Sequence, residues 1–240
     1  DIRAITRRAR EVGAKVAVDN TFLSPALQRP LLLGAHFAIH STTKYLNGHS
    51  DVVGGAVVCA DKSDADALAA WANIVGVTGS AFDSYLTLRG IRTLFPRVAQ
   101  QQETALAIAK YLASCPTVEA VHYPGLPSHA GHAVARAQQR GFGAMLSFEL
   151  AGGTEAIQRF VESVRIFSLA ESLGGVESLV AHPATMTHAG MDATARRAAG
   201  ITDGLLRLSV GLEAEHDLIE DLEHALQAAR GTPRARRAAR

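Results

Sequence analysis

Short apolar runs alternate with helical stretches along the first 60 residues. Residues 1–12 predict an amphipathic helix, because Ile2, Ile5, Ala9 and Val12 recur at helical spacing on one face. Three apolar runs that predict buried strands are residues 15–19, 37–40 and 56–60. Continuous apolar strands that alternate with helices are typical of a parallel sheet covered on both faces, so this part of the chain is predicted to be α/β.

The order of elements changes near residue 80 and predicts a second unit. Two helices, residues 85–94 and 98–113, come first. The elements predicted after them are strand 118–122, helix 130–140, strand 144–150, helix 155–164, strand 205–210 and helix 216–229. We therefore expect residues 1–95 to belong to a large α/β domain and residues 96–229 to form a smaller α+β domain. The basic residues 230–240 are predicted to be a disordered tail.

Composition and charge exclude several classes of function. Of the 240 residues, 48% are hydrophobic and 20% are charged, and the formal net charge of +1 gives no argument for binding nucleic acid or an anionic membrane. No apolar run approaches the ~20 residues of a membrane-spanning helix, and no signal peptide opens the chain. Cys59 and Cys115 match no metal-binding or disulfide pattern, so we expect no metal and a cytoplasmic protein.

Reactive side chains follow two consecutive predicted strands. Asp19 ends the first, and Ser41, Thr43 and Lys44 follow the second. Open α/β sheets bind ligands at the carboxyl ends of their strands. Pyridoxal phosphate (PLP) chemistry requires an amine for a Schiff base, a carboxylate for the ring nitrogen and donors for the phosphate. Taken alone, each residue has another interpretation: Asp19 as a turn or helix-capping residue, and Lys44 as a solvated surface lysine.

Longer motifs resemble the Cys/Met-metabolism PLP enzymes, the family of the cystathionine synthases and lyases. The motifs are residues 18–22 (VDNTF), 40–51 (HSTTKYLNGHSD), 170–179 (AESLGGVESL), 186–190 (MTHAG) and 206–211 (LRLSVG). The resemblance runs in order from about residue 1 to residue 229. It implies PLP-dependent transferase fold type I, like that of aspartate aminotransferase. Residues 1–95 would then be the C-terminal part of the PLP-binding large domain, with a mainly parallel sheet.

The resemblance implies which residues contact the cofactor. Lys44 would bind PLP covalently and, once freed, move protons. Asp19 would pair with the pyridine nitrogen, and Thr21 would lie close to the ring. Ser41 and Thr43 would bind the phosphate.

The resemblance also implies a site for amino-acid substrates. Arg207 would bind the substrate α-carboxylate, a task that suits its planar fork of donors, and Ser172 would lie at the same pocket. Glu171 would line the entrance, near the distal end of the substrate. A structural ion pair is the alternative for Arg207, because this residue interrupts the apolar run 205–210.

The N-terminal third of the family has no counterpart among these motifs. In the family that third supplies a tyrosine that stacks on the ring, a phosphate loop with glycine, and a Tyr and an Arg that reach the neighbouring subunit. We therefore expect further residues before Asp1. The resemblance also implies a homotetramer assembled from dimers that share their active sites.

Within the family, the chain most resembles bacterial cystathionine γ-synthases, on residues 76–86 and 141–150. The implied reaction is γ-replacement of an O-acyl (succinyl) homoserine by L-cysteine, which gives cystathionine for methionine biosynthesis. The alternative is the γ-lyase reaction, which breaks cystathionine down to cysteine, α-ketobutyrate and ammonia. Glu171 is shared with the γ-lyases, whereas Ala181 stands where several eukaryotic γ-lyases carry Glu. A catalytically silent protein that only binds or assembles is the third possibility.

Overall fold

The computed structural model describes residues 1–231. Its first elements are α1 (Ile2–Glu11), β1 (Ala17–Asp19), α2 (Ser24–Leu27), a 3₁₀ helix (Pro30–Leu33), β2 (Phe37–Ser41), a π-helical turn (Thr42–Leu46), β3 (Gly55–Cys59), α3 (Lys62–Val75) and α4 (Ala81–Ile91). The remaining elements are α5 (Leu94–Ser114), β4 (Val118–His122), α6 (His132–Gln138), β5 (Met145–Leu150), α7 (Gly153–Ser163), β6 (Ser168–Leu169), β7 (Leu179–Ala181), α8 (Ala193–Ala198), β8 (Leu205–Ser209) and α9 (Glu215–Ala229). All but the first two residues of the predicted tail 230–240 lie outside the described residues. Among these helices of residues 1–231, none is both long and apolar enough to span a membrane.

The first sheet contains β1, β2 and β3 in that spatial order. β1 and β2 run parallel, with Asp19 opposite Ile39. β3 pairs antiparallel with β2, with Ser41 opposite Gly55, so the sheet is mixed where the apolar pattern predicts parallel strands. The reason lies in residues 42–54, which contain one helical turn and no crossover helix. The chain therefore re-enters the sheet at the end where β2 leaves it.

The second sheet has five strands in the order β4-β5-β8-β7-β6. Its neighbouring strands are antiparallel, except that β6 and β7 are parallel. The apolar pattern predicts β4, β5 and β8 but misses β6 and β7, because two or three residues are too few to show a period. The strands of the first sheet all precede residue 60 and those of the second all follow residue 117. The domain boundary at residue 95 stays a prediction.

The hydrophobic core lies between the second sheet and helices α5, α7 and α9. Its fully buried members include Ile108, Phe148, Phe160, Leu206 and Leu222. The rings of Phe148 and Phe160 meet edge to face, with centroids 5.7 Å apart. Because side chains alternate along a strand, Leu206 and Leu208 enter this core while the half-buried Arg207 points to the opposite face of the sheet. This alternation explains how an arginine fits inside an apolar run.

The first sheet and its helices leave apolar side chains exposed. α3 has no buried residue, and its Trp71 is 64% exposed. The apolar face predicted for α1 is also largely open, since Val12 is 73% exposed. α1 contacts the rest of the chain through the buried Thr6, whose hydroxyl donates to the carbonyl of Leu33 at 3.1 Å. The amphipathic pattern therefore predicts the helix but not the face that this chain buries.

Candidate functional site

Lys44 lies in the π-helical turn that follows β2. Its backbone angles, φ −89° and ψ −133°, depart from helical values and interrupt the turn. The N–H of Thr42 donates to the carbonyl of Gly54 at 2.9 Å, and the N–H of Gly48 donates to the carbonyl of Lys44 at 2.7 Å. These bonds fix both ends of the turn from which the Lys44 side chain projects.

The amine of Lys44 meets a loop that is distant in sequence. Its Nζ donates to Ser172 Oγ at 2.7 Å, across a separation of 128 residues. Burial lowers the pKa of Lys44, and the positive charge of Arg207 lowers that pKa further. Ser172 has a φ of +92°, a left-handed conformation that non-glycine residues seldom adopt. The structure therefore holds an amine with a depressed pKa against a strained residue, a combination typical of functional sites.

Arg207 joins the same group from β8. Its guanidinium donates to the carbonyl of Ser172 at 3.0 Å. Burial lowers the pKa of Arg207, and the negative charge of Glu171 opposes that effect. Lys44, Ser172 and Arg207 thus form a continuous hydrogen-bonded chain, and Glu171 acts electrostatically on the Arg207 end of it. No carboxylate of residues 1–231 forms a salt bridge with Arg207, so the alternative of a structural ion pair has no partner in the described part of the chain.

Asp19 and Thr21 link the ends of β1 and β2. The N–H of Thr21 donates to Asp19 Oδ1 at 2.9 Å, and the N–H of Ser41 donates to Thr21 Oγ1 at 2.9 Å. Burial lowers the pKa of His40, while the charge of Asp19 raises it, which places the carboxylate near that imidazole. The parallel pairing of β1 and β2 brings these residues together, as the sequence predicts for consecutive strand ends.

Ser41 and Thr43 differ in their hydrogen bonds. Thr43 Oγ1 accepts from the N–H of Gly54 at 3.0 Å and donates to the carbonyl of Gly54 at 3.4 Å. The Ser41 hydroxyl makes no hydrogen bond to another described residue. Ser41 is therefore free to bind an anion, whereas Thr43 also holds the loop that leads to β3.

The structure identifies two supporting residues to which the motifs assign no role. Gly174 has a φ of +77°, and a Cβ at this position would lie 2.9 Å from the backbone nitrogen of Tyr45. Tyr45 is 1% exposed, and burial raises the pKa of its hydroxyl. The close approach of Gly174 to Tyr45 brings the 170–178 loop against the Lys44 turn. The signal in the sequence is the Gly174-Gly175 pair, whose conformational freedom permits the contact.

The donor set of the site fits PLP. Asp19 offers a carboxylate, Ser41 a free hydroxyl, Lys44 an amine of depressed pKa and Arg207 a guanidinium with donors to spare. These are the groups that attachment of the cofactor, its ring nitrogen, its phosphate and an amino-acid carboxylate require. Within residues 1–231, no cluster of three or more His, Cys, Asp or Glu side chains could hold a metal ion.

Comparison with known proteins identifies the family. Residues 1–227 match the family described as "Cys/Met metabolism PLP-dependent enzyme". The chain belongs to this family, and the family's cofactor is PLP. The predictions of family, cofactor and enzyme class are confirmed.

Individual relatives include both synthases and lyases. The chain is 59% identical over 229 residues to the cystathionine γ-synthase of Escherichia coli K12, a match that covers 95% of this chain and 59% of the relative. It is 48% identical to the cystathionine β-lyase of Coxiella burnetii, over 94% of this chain and 59% of that one. The cystathionine γ-lyase of Dictyostelium discoideum is 45% identical, over 94% of this chain and 58% of that one. The chain thus spans about three fifths of the length of these relatives.

Solved structures confirm the fold type. The cystathionine γ-synthase of Xanthomonas oryzae pv. oryzae, crystallised in complex with cystathionine, superposes with a TM-score of 0.95 at 59% identity. The superposition covers 97% of this chain and 60% of that one. The predicted fold type I is therefore confirmed.

Proposed function

We propose that this chain supplies the cofactor-binding lysine and the carboxylate-binding arginine of a cystathionine γ-synthase. The proposed reaction is γ-replacement, in which L-cysteine displaces the acyl group of O-succinylhomoserine to give cystathionine. The observation that carries the proposal is the chain Lys44–Ser172–Arg207, with bonds of 2.7 and 3.0 Å, which joins an amine of lowered pKa to a guanidinium. The 59% identity with a γ-synthase supports the choice of reaction.

Five residues at the ends of β1 and β2 hold the cofactor in this proposal. PLP, when bound, withdraws electrons from the substrate and stabilises the negative charge that proton removal leaves on carbon. Lys44 would attach it covalently. Asp19 would keep the ring nitrogen protonated, and Thr21 would lie close to the ring. Ser41 and Thr43 would bind the phosphate, with the free hydroxyl of Ser41 as the stronger candidate.

Lys44 also moves protons in this proposal. As a free amine it accepts the proton from Cα of the substrate and returns protons to neighbouring carbon atoms. A general base works best when its pKa lies near the working pH. Burial and the charge of Arg207 both lower the pKa of Lys44, which increases the fraction of neutral amine near neutral pH.

Arg207, Ser172 and Glu171 bind the amino-acid part of the substrate. The guanidinium of Arg207 donates one bond to Ser172 O and has further N–H donors for a carboxylate. The Ser172 hydroxyl, which accepts from Lys44, can turn to the same carboxylate when the amine is engaged elsewhere. Glu171 lies close enough to influence Arg207 electrostatically. In this proposal it would line the entrance, near the distal end of the substrate.

A lyase reaction is the second candidate. The 45–48% identity with a cystathionine γ-lyase and a cystathionine β-lyase favours it. The same lysine and arginine serve elimination, because proton removal from Cα begins both reactions. The β-lyase reaction is an alternative that the sequence motifs do not raise.

The deciding experiment compares two reaction mixtures with purified, PLP-saturated protein. One contains O-succinylhomoserine and cysteine, and the other contains cystathionine alone. Faster formation of cystathionine than breakdown supports the synthase. Breakdown alone contradicts it, and the keto acid released then identifies the reaction, since γ-elimination gives α-ketobutyrate and β-elimination gives pyruvate.

We also propose that the protein works as a homotetramer. The exposed apolar side chains of α3 and α4, among them Trp71 at 64% and Phe82 at 68% exposure, support burial of this face against further protein. Sedimentation equilibrium of the purified protein measures the assembly directly.

A further inference from the structure

The buried face of α5 carries polar side chains in its first half. Its second half buries Ile108, Ala109 and Leu112, which face the hydrophobic core. Its first half buries apolar residues of the same core, but also Arg97, at 5% exposure, and Gln101, at 0% exposure. Buried polar groups cost free energy unless they are hydrogen-bonded, so the partners of these two side chains indicate what they do.

Arg97 binds the turn that carries Lys44. Its guanidinium Nη2 donates to the carbonyl of Tyr45 at 3.0 Å and to the carbonyl of Gly90 at 2.9 Å, while its Nε donates to Thr93 Oγ1 at 3.1 Å. Tyr45 O belongs to the last part of the π-helical turn, and Gly90 O to the last turn of α4. Carbonyls at helix ends lack partners within the helix and attract cations, so the guanidinium fits between these two ends.

Gln101, one helical turn further along α5, binds the other half of the site. Its Nε2 donates to the carbonyl of Gly175 at 2.7 Å and to the carbonyl of Val210 at 3.1 Å. Gly175 lies three residues after Ser172 in the same loop, and Val210 lies three residues after Arg207. One amide group therefore ties the loop of Ser172 to the end of the strand of Arg207.

We propose that Arg97 and Gln101 are positioning residues, which hold the Lys44 turn at a fixed separation from the Ser172 loop and the Arg207 strand. The proposal rests on the proposed function, since the three positioned side chains are those assigned to cofactor and substrate. Residues four apart on a helix are separated by ~6 Å along a stiff axis, so α5 sets the spacing of the carbonyls it binds. The hydrogen bonds to the carbonyls of Tyr45, Gly175 and Val210 involve no catalytic atom. Both residues therefore act on the site through the backbone.

Three variants and two controls test the proposal in the PLP-loaded protein. Arg97→Met and Gln101→Leu remove the donors and keep most of the volume, and Arg97→Lys restores a cation without the fork. Arg92→Met and Gln100→Leu are matched controls, because both side chains are exposed. The readouts are kcat and KM, the pH midpoint of the visible absorption band, and the thermal midpoint. Amide hydrogen exchange of residues 42–48 and 172–178 in the cofactor-free protein is measured alongside.

Positioning predicts a defined set of changes. Arg97→Met and Gln101→Leu lower kcat per bound cofactor by about 10- to 100-fold, the size expected when reacting groups are misplaced by ~1 Å. The pH midpoint of the band moves, exchange quickens in residues 42–48 for the first variant and 172–178 for the second, and Arg97→Lys recovers part of the loss. The controls match the wild type in every readout.

A purely structural role of Arg97 and Gln101 predicts different results, and these results would overturn the proposal. In that case both variants lose thermal stability while kcat per bound cofactor, the pH midpoint and exchange in the two segments stay unchanged. If wild-type protein never attaches PLP, the proposed function fails by itself. Amide hydrogen exchange of residues 42–48 and 172–178 in the cofactor-free variants then tests the positioning role by itself. Exchange rates equal to those of the wild type reject that role.

Discussion

The Lys44 amine donates a 2.7 Å hydrogen bond to the hydroxyl of Ser172, a residue held in a left-handed conformation with a φ of +92°. Ser172 in turn accepts from Arg207 through its carbonyl at 3.0 Å. A single residue therefore connects the amine proposed to hold the cofactor with the guanidinium proposed to hold the substrate.

Replacing Lys44 by Ala should abolish covalent attachment of PLP. The purified wild-type protein with PLP is expected to show a visible absorption band that Lys44→Ala lacks, and the variant should lose about 10²- to 10⁴-fold in activity, the range for loss of a general acid–base group. Lys110→Ala is the control, since Lys110 is exposed on α5. A wild-type protein that stays colourless with added PLP would instead support the catalytically silent alternative.

Replacing Arg207 by Met should weaken the capture of amino-acid substrates. Hydrogen bonds to charged groups contribute ~1.5–3 kcal/mol, so kcat/KM is expected to fall about 10- to 100-fold. Arg207→Lys keeps the charge but loses the fork and should recover only part of the loss. Steady-state kinetics measure the effect, with the exposed Arg197→Met as the control. Unchanged kcat/KM in Arg207→Met would remove this residue from the substrate site.

The same Arg207→Met variant should raise the pKa of Lys44. The positive charge of Arg207 disfavours the protonated amine, so its removal favours protonation and the pKa moves up. Because PLP attaches to the neutral amine, the pH midpoint of the attachment rate should move to higher pH. Burial is the larger cause of the shift, so the midpoint should stay below that of an exposed lysine. A midpoint that stays put, or moves down, contradicts the electrostatic coupling.

Replacing Asp19 by Asn should lower the catalytic rate without preventing the attachment of PLP. Lys44 remains, so the absorption band is expected to persist, while kcat falls about 10²- to 10³-fold, as when one electrostatic partner of the reaction is removed. The pKa of His40 should also fall, since the charge of Asp19 raises it. NMR titration of His40 measures that change without any substrate. Asp61→Asn, an exposed replacement before α3, should leave both quantities unaltered.

Replacing Gly174 by Ala should disturb the site more than the same change at Gly13. Both glycines have a positive φ, of +77° and +67°, so both variants incur a similar backbone strain of ~1–3 kcal/mol. A Cβ at Gly13 meets nothing within 4 Å, whereas at Gly174 it approaches the Tyr45 backbone nitrogen at 2.9 Å. Urea denaturation should therefore show a larger loss for Gly174→Ala, together with weaker binding of PLP. Equal losses in both variants would mean that the contact with Tyr45 has no role beyond strain.

Local sequence patterns were sufficient to predict that Asp19 and Lys44 lie at one edge of the first sheet. Asp19 and Lys44 follow consecutive apolar strands, and parallel strands that are adjacent in a sheet bring their carboxyl ends to one edge. The motif around Lys44 gave the family and the cofactor, which the comparison with known proteins confirmed. The residue roles and the domain boundary at residue 95 remain predictions.

Other features needed the structure because they depend on long-range contacts. β3 runs antiparallel to β2 because the short connection 42–54 brings the chain back into the sheet at the end where β2 leaves it. The spacing of apolar residues does not show in which direction a strand runs. The short strands β6 and β7 exist because β8 pairs with β7. Arg97 and Gln101 occupy positions of α5 that a helical pattern assigns to the core, so only their partners reveal why polar side chains are buried there.

The sequence by itself determined the family and many of the elements, and it predicted Lys44 as the cofactor lysine, because helical and strand periods and contiguous motifs are written in neighbouring residues. Only the tertiary structure decided that Lys44 meets Ser172 and that Arg207 stands beside them. These residues are brought together by the packing of α5, β8 and the 170–178 loop, across a separation of 128 residues between Lys44 and Ser172. Neither the left-handed backbone of Ser172 nor the carbonyls that α5 binds have a signature in a local run of residues.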